Sequence, residues 1–202
     1  MSSSYEIATS GKRRNPGTGF ALGGIIALMS ITAATAVYPS YSERSQAISY
    51  LGGAGVTTEI FWNISVIIVG VLWLWSTYLL FRNGGFKIRP VIYALAGLGF
   101  LLVGLSPWDV FPTTHYLGAN LIFVFGALSS ILAYRMTSGA MAKISVLAGI
   151  FSFVSYFGGY VGFDYILGPG GAERMIFYPI LLWQIAFGGY LLGHSQNQAY
   201  TG

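Results

Sequence analysis

Residues Ile60–Phe81 read IFWNISVIIVGVLWLWSTYLLF, an unbroken run without Lys, Arg, Asp or Glu. A helix rises about 1.5 Å per residue and a bilayer core is about 30 Å thick, so roughly 20 apolar residues cross it. Five further runs share this character: Asn15–Ser42, Pro90–Trp108, Val110–Tyr134, Ile144–Phe163 and Met175–Gly202. The expected fold is all-α, a polytopic integral membrane bundle of six transmembrane helices. Charged residues make up 8% of the chain, against about 25% in a soluble domain. Six spans in 202 residues leave only short connections and no room for a soluble domain. The expected organisation is an N-terminal tail over 1–14, a six-helix transmembrane domain over 15–194 and a C-terminal tail over 195–202.

Charge is sorted along the chain. Eight of the ten basic residues are Lys12, Arg13, Arg14, Arg82, Lys87, Arg89, Arg135 and Lys143, in the N-terminal tail and alternate connections; Arg44 and Arg174 are the exceptions. Five of the six acids, Glu43, Glu59, Asp109, Asp164 and Glu173, fall in the other connections. Short loops rich in Lys and Arg stay cytoplasmic, so both tails are expected inside a cell membrane. The net charge of +4 thus sets topology or meets anionic headgroups, and nucleic acid is not an expected partner. Lys12-Arg13-Arg14 followed by an apolar run and Ala34-Thr35-Ala36 has the outline of a signal peptide. The run is too long for an h-region, which favours an uncleaved first span. With no Cys, disulfides, thiolate metal sites and Cys nucleophiles are excluded.

The expected helices are Thr18–Tyr38, Glu59–Leu80, Pro90 to Ser106-Pro107, a fourth capped by Thr113 or Thr114 and ending at Tyr134-Arg135, then Lys143–Phe163 and Met175–His194. Trp73, Trp75 and Tyr78 are expected at headgroup level in the inner half. Asn83-Gly84-Gly85 makes a tight inner turn, and Gly168-Pro169-Gly170-Gly171 breaks the chain outside. The polar C-terminal tail is expected to be disordered. Gly19 and Gly23, like Gly158 and Gly162, have the spacing for close helix approach within one molecule.

Polar residues gather at the outer ends of the helices. Glu59 and Asn63 share a face, being four apart. Asp109 and His115 stand before and at the start of helix four, with Asn120 deeper. An ionisable group at membrane depth is expensive unless paired, which makes this cluster the candidate site. For Glu43, Asp164 and Arg174 the expectation is plain solvation at helix ends. If a metal is bound, His115 and Asp109 are its candidate ligands, although one imidazole with scattered carboxylates is a thin set. No Gly-x-Ser-x-Gly, His-Glu-x-x-His or phosphate-cradling glycine loop is present. The midplane holds only neutral polar groups such as Gln184, Ser152 and Ser155, which lowers the case for ion-coupled transport.

Ile48-Ser49-Tyr50-Leu51-Gly52 in the long outer loop, Ile60-Phe61-Trp62-Asn63 entering helix two, and Gly104-Leu105-Ser106-Pro107 through Asp109, Pro112 and His115 resemble a known pattern. It is that of the six-helix prokaryotic membrane family catalogued as domain of unknown function 998. The family pattern often has an acidic residue after the loop serine, where this chain has Tyr50. The resemblance implies a recurring outer constellation of Ser49, Gly52, Asn63, Asp109 and His115, and no activity.

The function expected from these residues is binding or accessory. An outward-facing polar pocket among helices two to four, roofed by 40–58, would take a lipid or isoprenoid-like ligand through Ser49, Gly52, Glu59, Asn63, Asp109, His115 and Asn120. Two alternatives remain at this point: a metal-assisted membrane lipid hydrolase and a subunit of a larger membrane complex.

Overall fold

Asn15-Pro16-Gly17 starts the first helix by local chemistry. The Asn15 Oδ1 accepts the Gly17 amide at 2.7 Å, and Pro16 lacks the donor that a first turn leaves unpaired anyway. The computed structural model describes residues 14–82, 88–159 and 162–200. Lys12, Arg13, the Asn83-Gly84-Gly85 turn, Lys87 and the last two residues lie outside the described residues. Six helices follow among the described residues: α1 (Pro16–Val37), α2 (Glu59–Phe81), α3 (Ile88–Leu105), α4 (Pro112–Leu132), α5 (Gly139–Gly158) and α6 (Phe163–Tyr200). All except α3 are long and apolar enough to cross a bilayer, and α3 is a shorter apolar helix, Arg89–Leu105. The chain is a helical, multi-pass membrane bundle.

Each helix packs on its neighbours in sequence, and α1 closes the ring against α6. The two ends of the bundle differ. One, the loop end, carries the connection from Val37 to Glu59 with a 3-10 turn at Ile48–Gly52. The other, the basic end, carries Arg14, Arg82, Arg135 and Lys143. Aromatic rings fill the middle: Phe20, Trp73, Tyr93, Phe100, Trp183 and Phe187 are all buried. Trp73 Nε1 donates to the Tyr93 carbonyl and Tyr93 Oη to the Ser129 carbonyl, each at 2.7 Å. Lipid offers helices no hydrophobic reason to associate, so such bonds and close packing must do it. Ser130 Oγ donates to the Ser145 carbonyl and Ser152 Oγ to the Ile176 carbonyl, tying α4 to α5 and α5 to α6. A Cβ at Gly19 would overlap Ser76 of α2, and one at Gly23 would overlap Gln184 of α6. That glycine face is used inside the molecule.

Several boundaries differ from those expected. Of the inner-half aromatic residues of α2, Trp73 is buried in the core of the bundle, whereas Trp75 and Tyr78 are exposed. Phe111, not a threonine, caps α4, because Pro112 takes the first helical position, where its missing amide costs nothing. Helix α5 lies earlier than expected, Gly139–Gly158. In α6 the break is a single residue, Gly168, at φ 74°, a conformation cheap only for glycine. The helix resumes at once through Pro169, well before Met175. At its other end it runs to Tyr200.

Candidate functional site

Ile48 and Leu51 of the 3-10 turn are buried, and this turns the backbone of the loop inward over the bundle. A buried loop must satisfy its amides and carbonyls, and the polar residues of the loop end do so. Asn63 Nδ2 donates to the Gly52 carbonyl at 3.0 Å. Both Asp109 oxygens accept from the Ala54 amide, at 3.0 and 3.1 Å, and Glu59 Oε2 accepts from the Gly55 amide at 2.6 Å. Thr58 Oγ1 donates to the Leu51 carbonyl at 2.6 Å. Gly52 admits this arrangement because a Cβ there would overlap Asn63 Oδ1 and Trp62. Tyr50 stacks on Trp108 with ring centroids 4.4 Å apart, pinning the loop to the α3–α4 connection.

The two turns of α6 that follow the Gly168 break hold the other side of the loop. Glu173 Oε2 accepts from the Ile48 amide at 2.5 Å, a carboxylate at the N-terminus of the 3-10 turn. Arg174 is 7% exposed, not solvated as its position near a helix end suggested. Its Nη1 donates to the carbonyls of Glu43, Gln46 and Gly170, and its Nη2 to Tyr41 Oη at 3.0 Å. A cation withdrawn from water needs several acceptors, and a loop rich in free carbonyls supplies them. Burial pushes the Tyr41 phenol above its ordinary value against the pull of Arg174. The neutral hydroxyl thus accepts from Arg174 while hydrogen-bonded to the carbonyls of Gln46 and Ala47. Glu173 and Arg174 are the residues that sequence reasoning undervalued. The available signal was Gly168-Pro169-Gly170-Gly171: side chains at Gly168 and Gly170 would overlap the Arg44 and Gln46 carbonyls, so the glycines mark where the loop crosses.

Beneath this roof is a chamber of about 30 Å³, lined by Ser49, His115 and Glu173 and otherwise by apolar groups such as Trp62, Phe100, Ile122 and Phe177. That is room for about one water molecule. His115 is buried, with Nδ1 2.7 Å from the Ser106 carbonyl. A carbonyl only accepts, so Nδ1 carries the hydrogen and Nε2 of the neutral ring is left as an acceptor. Glu173 is also part of the wall of a second, open groove of about 450 Å³ between α4, α5 and α6. Asn120 stands in that groove, where its Nδ2 donates to the Tyr116 carbonyl at 2.7 Å and its Oδ1 accepts from Tyr156 Oη. Exposed Asp164 completes the polar rim, and Ala119, Phe123 and Ile176 form the apolar bed.

The seven candidate residues therefore divide into three groups. Gly52, Glu59, Asn63 and Asp109 build the roof; Ser49 and His115 line the chamber; Asn120 lines the groove. Among the described residues no three His, Cys, Asp or Glu side chains are grouped to hold a metal.

A family described as "Protein of unknown function (DUF998)" matches residues 21–190, from α1 through most of α6. The chain belongs to the DUF998 family. A relative, the inner membrane protein YdgK of Escherichia coli (strain K12), is 36% identical over 114 residues, covering 54% of this chain and 77% of YdgK. No solved structure matches this DUF998 protein.

Proposed function

We propose that this DUF998 protein resides in the cell membrane with both termini cytoplasmic and binds an amphipathic lipid from the outer leaflet, in a binding or accessory role. The groove between α4, α5 and α6 is the proposed seat. It opens at the loop end, where the five described carboxylates are gathered, and the protein's relative YdgK is named for the inner membrane. What carries the reading is the pairing of an apolar bed with a polar rim of Asn120, Tyr156, Asp164 and Glu173 in one open cavity of about 450 Å³. Such a cavity suits a chain lying among helices with its head at the rim. Among the described residues no Lys or Arg lines the groove. The favoured head therefore brings hydrogen-bond donors, as an amine or a sugar hydroxyl does, rather than bare phosphate. Glycerolipids and isoprenoid-linked headgroups both fit.

The test compares phosphatidylethanolamine with phosphatidylcholine of the same chains, by native mass spectrometry of protein from mild detergent. The first has N–H donors and the second has none. Preferential retention of phosphatidylethanolamine is expected, and Asn120→Leu with Asp164→Asn should reduce it about tenfold, the worth of one or two charge-assisted bonds. Equal retention by wild type and variant would remove the proposal. Orientation is tested by Ser42→Cys, the sole thiol in that variant, which should react with an impermeant maleimide in intact cells. The hydrolase alternative needs three or more ligands around one point, and the described residues do not group them.

A further inference from the structure

A second groove, of about 460 Å³, lies at the basic end and is lined by Tyr134, Ala142, Lys143, Val146 and Leu147. Its bed is almost wholly apolar and follows the bilayer-facing side of α5, where Leu147 is 66% exposed. Its rim is cationic. Lys143 is exposed, and Tyr134 holds a second cation beside it: Arg135 Nε donates to Tyr134 Oη at 3.1 Å, with the guanidinium 5.6 Å from the ring centroid. Neither cation has a carboxylate partner among the described residues, because all five described acids stand at the loop end.

An apolar trough with two unneutralised cations at its mouth is complementary to a ligand with a long apolar chain and an anionic head. We propose that this groove is a binding site for an acidic glycerophospholipid. The acyl chain lies along Ala142, Val146 and Leu147, and the phosphate sits between Lys143 and Arg135. The guanidinium presents a planar fork of donors and the ammonium a compact charge, a usual pair for phosphate oxygens. The site is separate from the groove at the loop end and takes lipid of the opposite headgroup character. Neither site requires the other.

The test uses phosphatidylglycerol against phosphatidylcholine of the same chains, with native mass spectrometry of the purified full chain. Wild type should retain phosphatidylglycerol preferentially. Each cation near a membrane surface contributes about fivefold, so Arg135→Gln with Lys143→Gln should weaken retention about 25-fold, with phosphatidylcholine unaffected. Leu147→Trp, on the bilayer-facing side, fills the trough and leaves both charges in place; it should also lower phosphatidylglycerol retention. Soluble glycerol phosphate should not compete at equal concentration. No headgroup preference in wild type, or a preference that survives the double substitution, would overturn the site. Normal retention in Leu147→Trp would overturn the groove, leaving the charges as a headgroup patch alone.

Discussion

The two ends of the bundle spend their charges in opposite ways. At the loop end Glu59, Asp109, Glu173 and Arg174 are all bonded to the chain's own backbone or to Tyr41. At the basic end Lys143, Arg82 and Arg135 are exposed. The first set replaces the water that a tucked-in loop has lost, and the second stays in the interface where headgroups are the counterions. Charges of the first kind should matter to stability, and charges of the second kind to lipid composition.

The sharpest way to break this contrast is to neutralise one arginine at each end. Arg174→Leu strips donors from the Glu43 and Gln46 carbonyls of the loop, from the Gly170 carbonyl and from Tyr41, and should cost about 3 kcal/mol, the scale for losing one member of a buried charged network. Arg135→Gln should change stability by less than about 0.5 kcal/mol, as for an exposed site. Thermal unfolding of both variants in one detergent gives the comparison, and limited proteolysis between Tyr41 and Thr58 should accelerate only in Arg174→Leu. Equal effects would mean that the loop-end bonds contribute no more than surface contacts.

Next in size is Gly52→Ala. The added methyl would overlap Asn63 Oδ1 and the Trp62 ring, and forcing atoms into a packed site costs about 1–3 kcal/mol. Gly139→Ala is a useful contrast at the basic end. Its Cβ meets nothing, but its φ of 58° disfavours any side chain, so the cost there is backbone strain of about 1 kcal/mol. The loop-end substitution should expose the roof to protease; the basic-end one should not.

The helices were readable because long uncharged runs mark them, and most closely where charges flank both ends: α2 runs Glu59–Phe81 against an expected Glu59–Leu80. What hydropathy cannot read in a membrane protein is direction. Lipid and core are both apolar, so Trp73 and Trp75 have the same hydropathy although one is fully buried and the other 41% exposed. The same blindness affected the candidate site. The outer clustering of Asn63, Asp109 and His115 was legible from position. Whether their polar atoms face a ligand or the loop backbone depends on the path of residues 38–58, which no periodicity specifies. Arg174 was misjudged for the same reason: two of its acceptors are the Glu43 and Gln46 carbonyls, more than 120 residues earlier, and carbonyls leave no trace in a sequence.

Between the two ends lies a third use of polarity. Gln184 is fully buried, and neither amide atom has a hydrogen-bond partner among the described residues. Burying such a group unpaired costs about 1–3 kcal/mol. Gln184→Met keeps the volume and removes the penalty, so it should raise stability by about 1 kcal/mol. A lower melting temperature would show that the amide is satisfied in the membrane, and would class Gln184 with the bonded loop-end residues.

The smallest expected effect bears on how the loop is fastened to the α3–α4 connection. The resemblance implies an acid at the position of Tyr50, and in this chain the Tyr50 ring stacks on Trp108 at 4.4 Å. Such a pair contributes about 0.5–1.5 kcal/mol beyond its buried area. Tyr50→Phe keeps the stack and should be neutral. Tyr50→Asp removes it and puts a second carboxylate in the neighbourhood of Asp109, whose oxygens already bind the Ala54 amide. That variant should lose about 1 kcal/mol, and the emission of Trp108 should shift to the red as its face meets water. If instead Tyr50→Asp is as stable as wild type, the loop has a second way to close on the α3–α4 connection. The stack in this chain would then be one of two interchangeable fastenings, one aromatic and one acidic, at the same point of the roof.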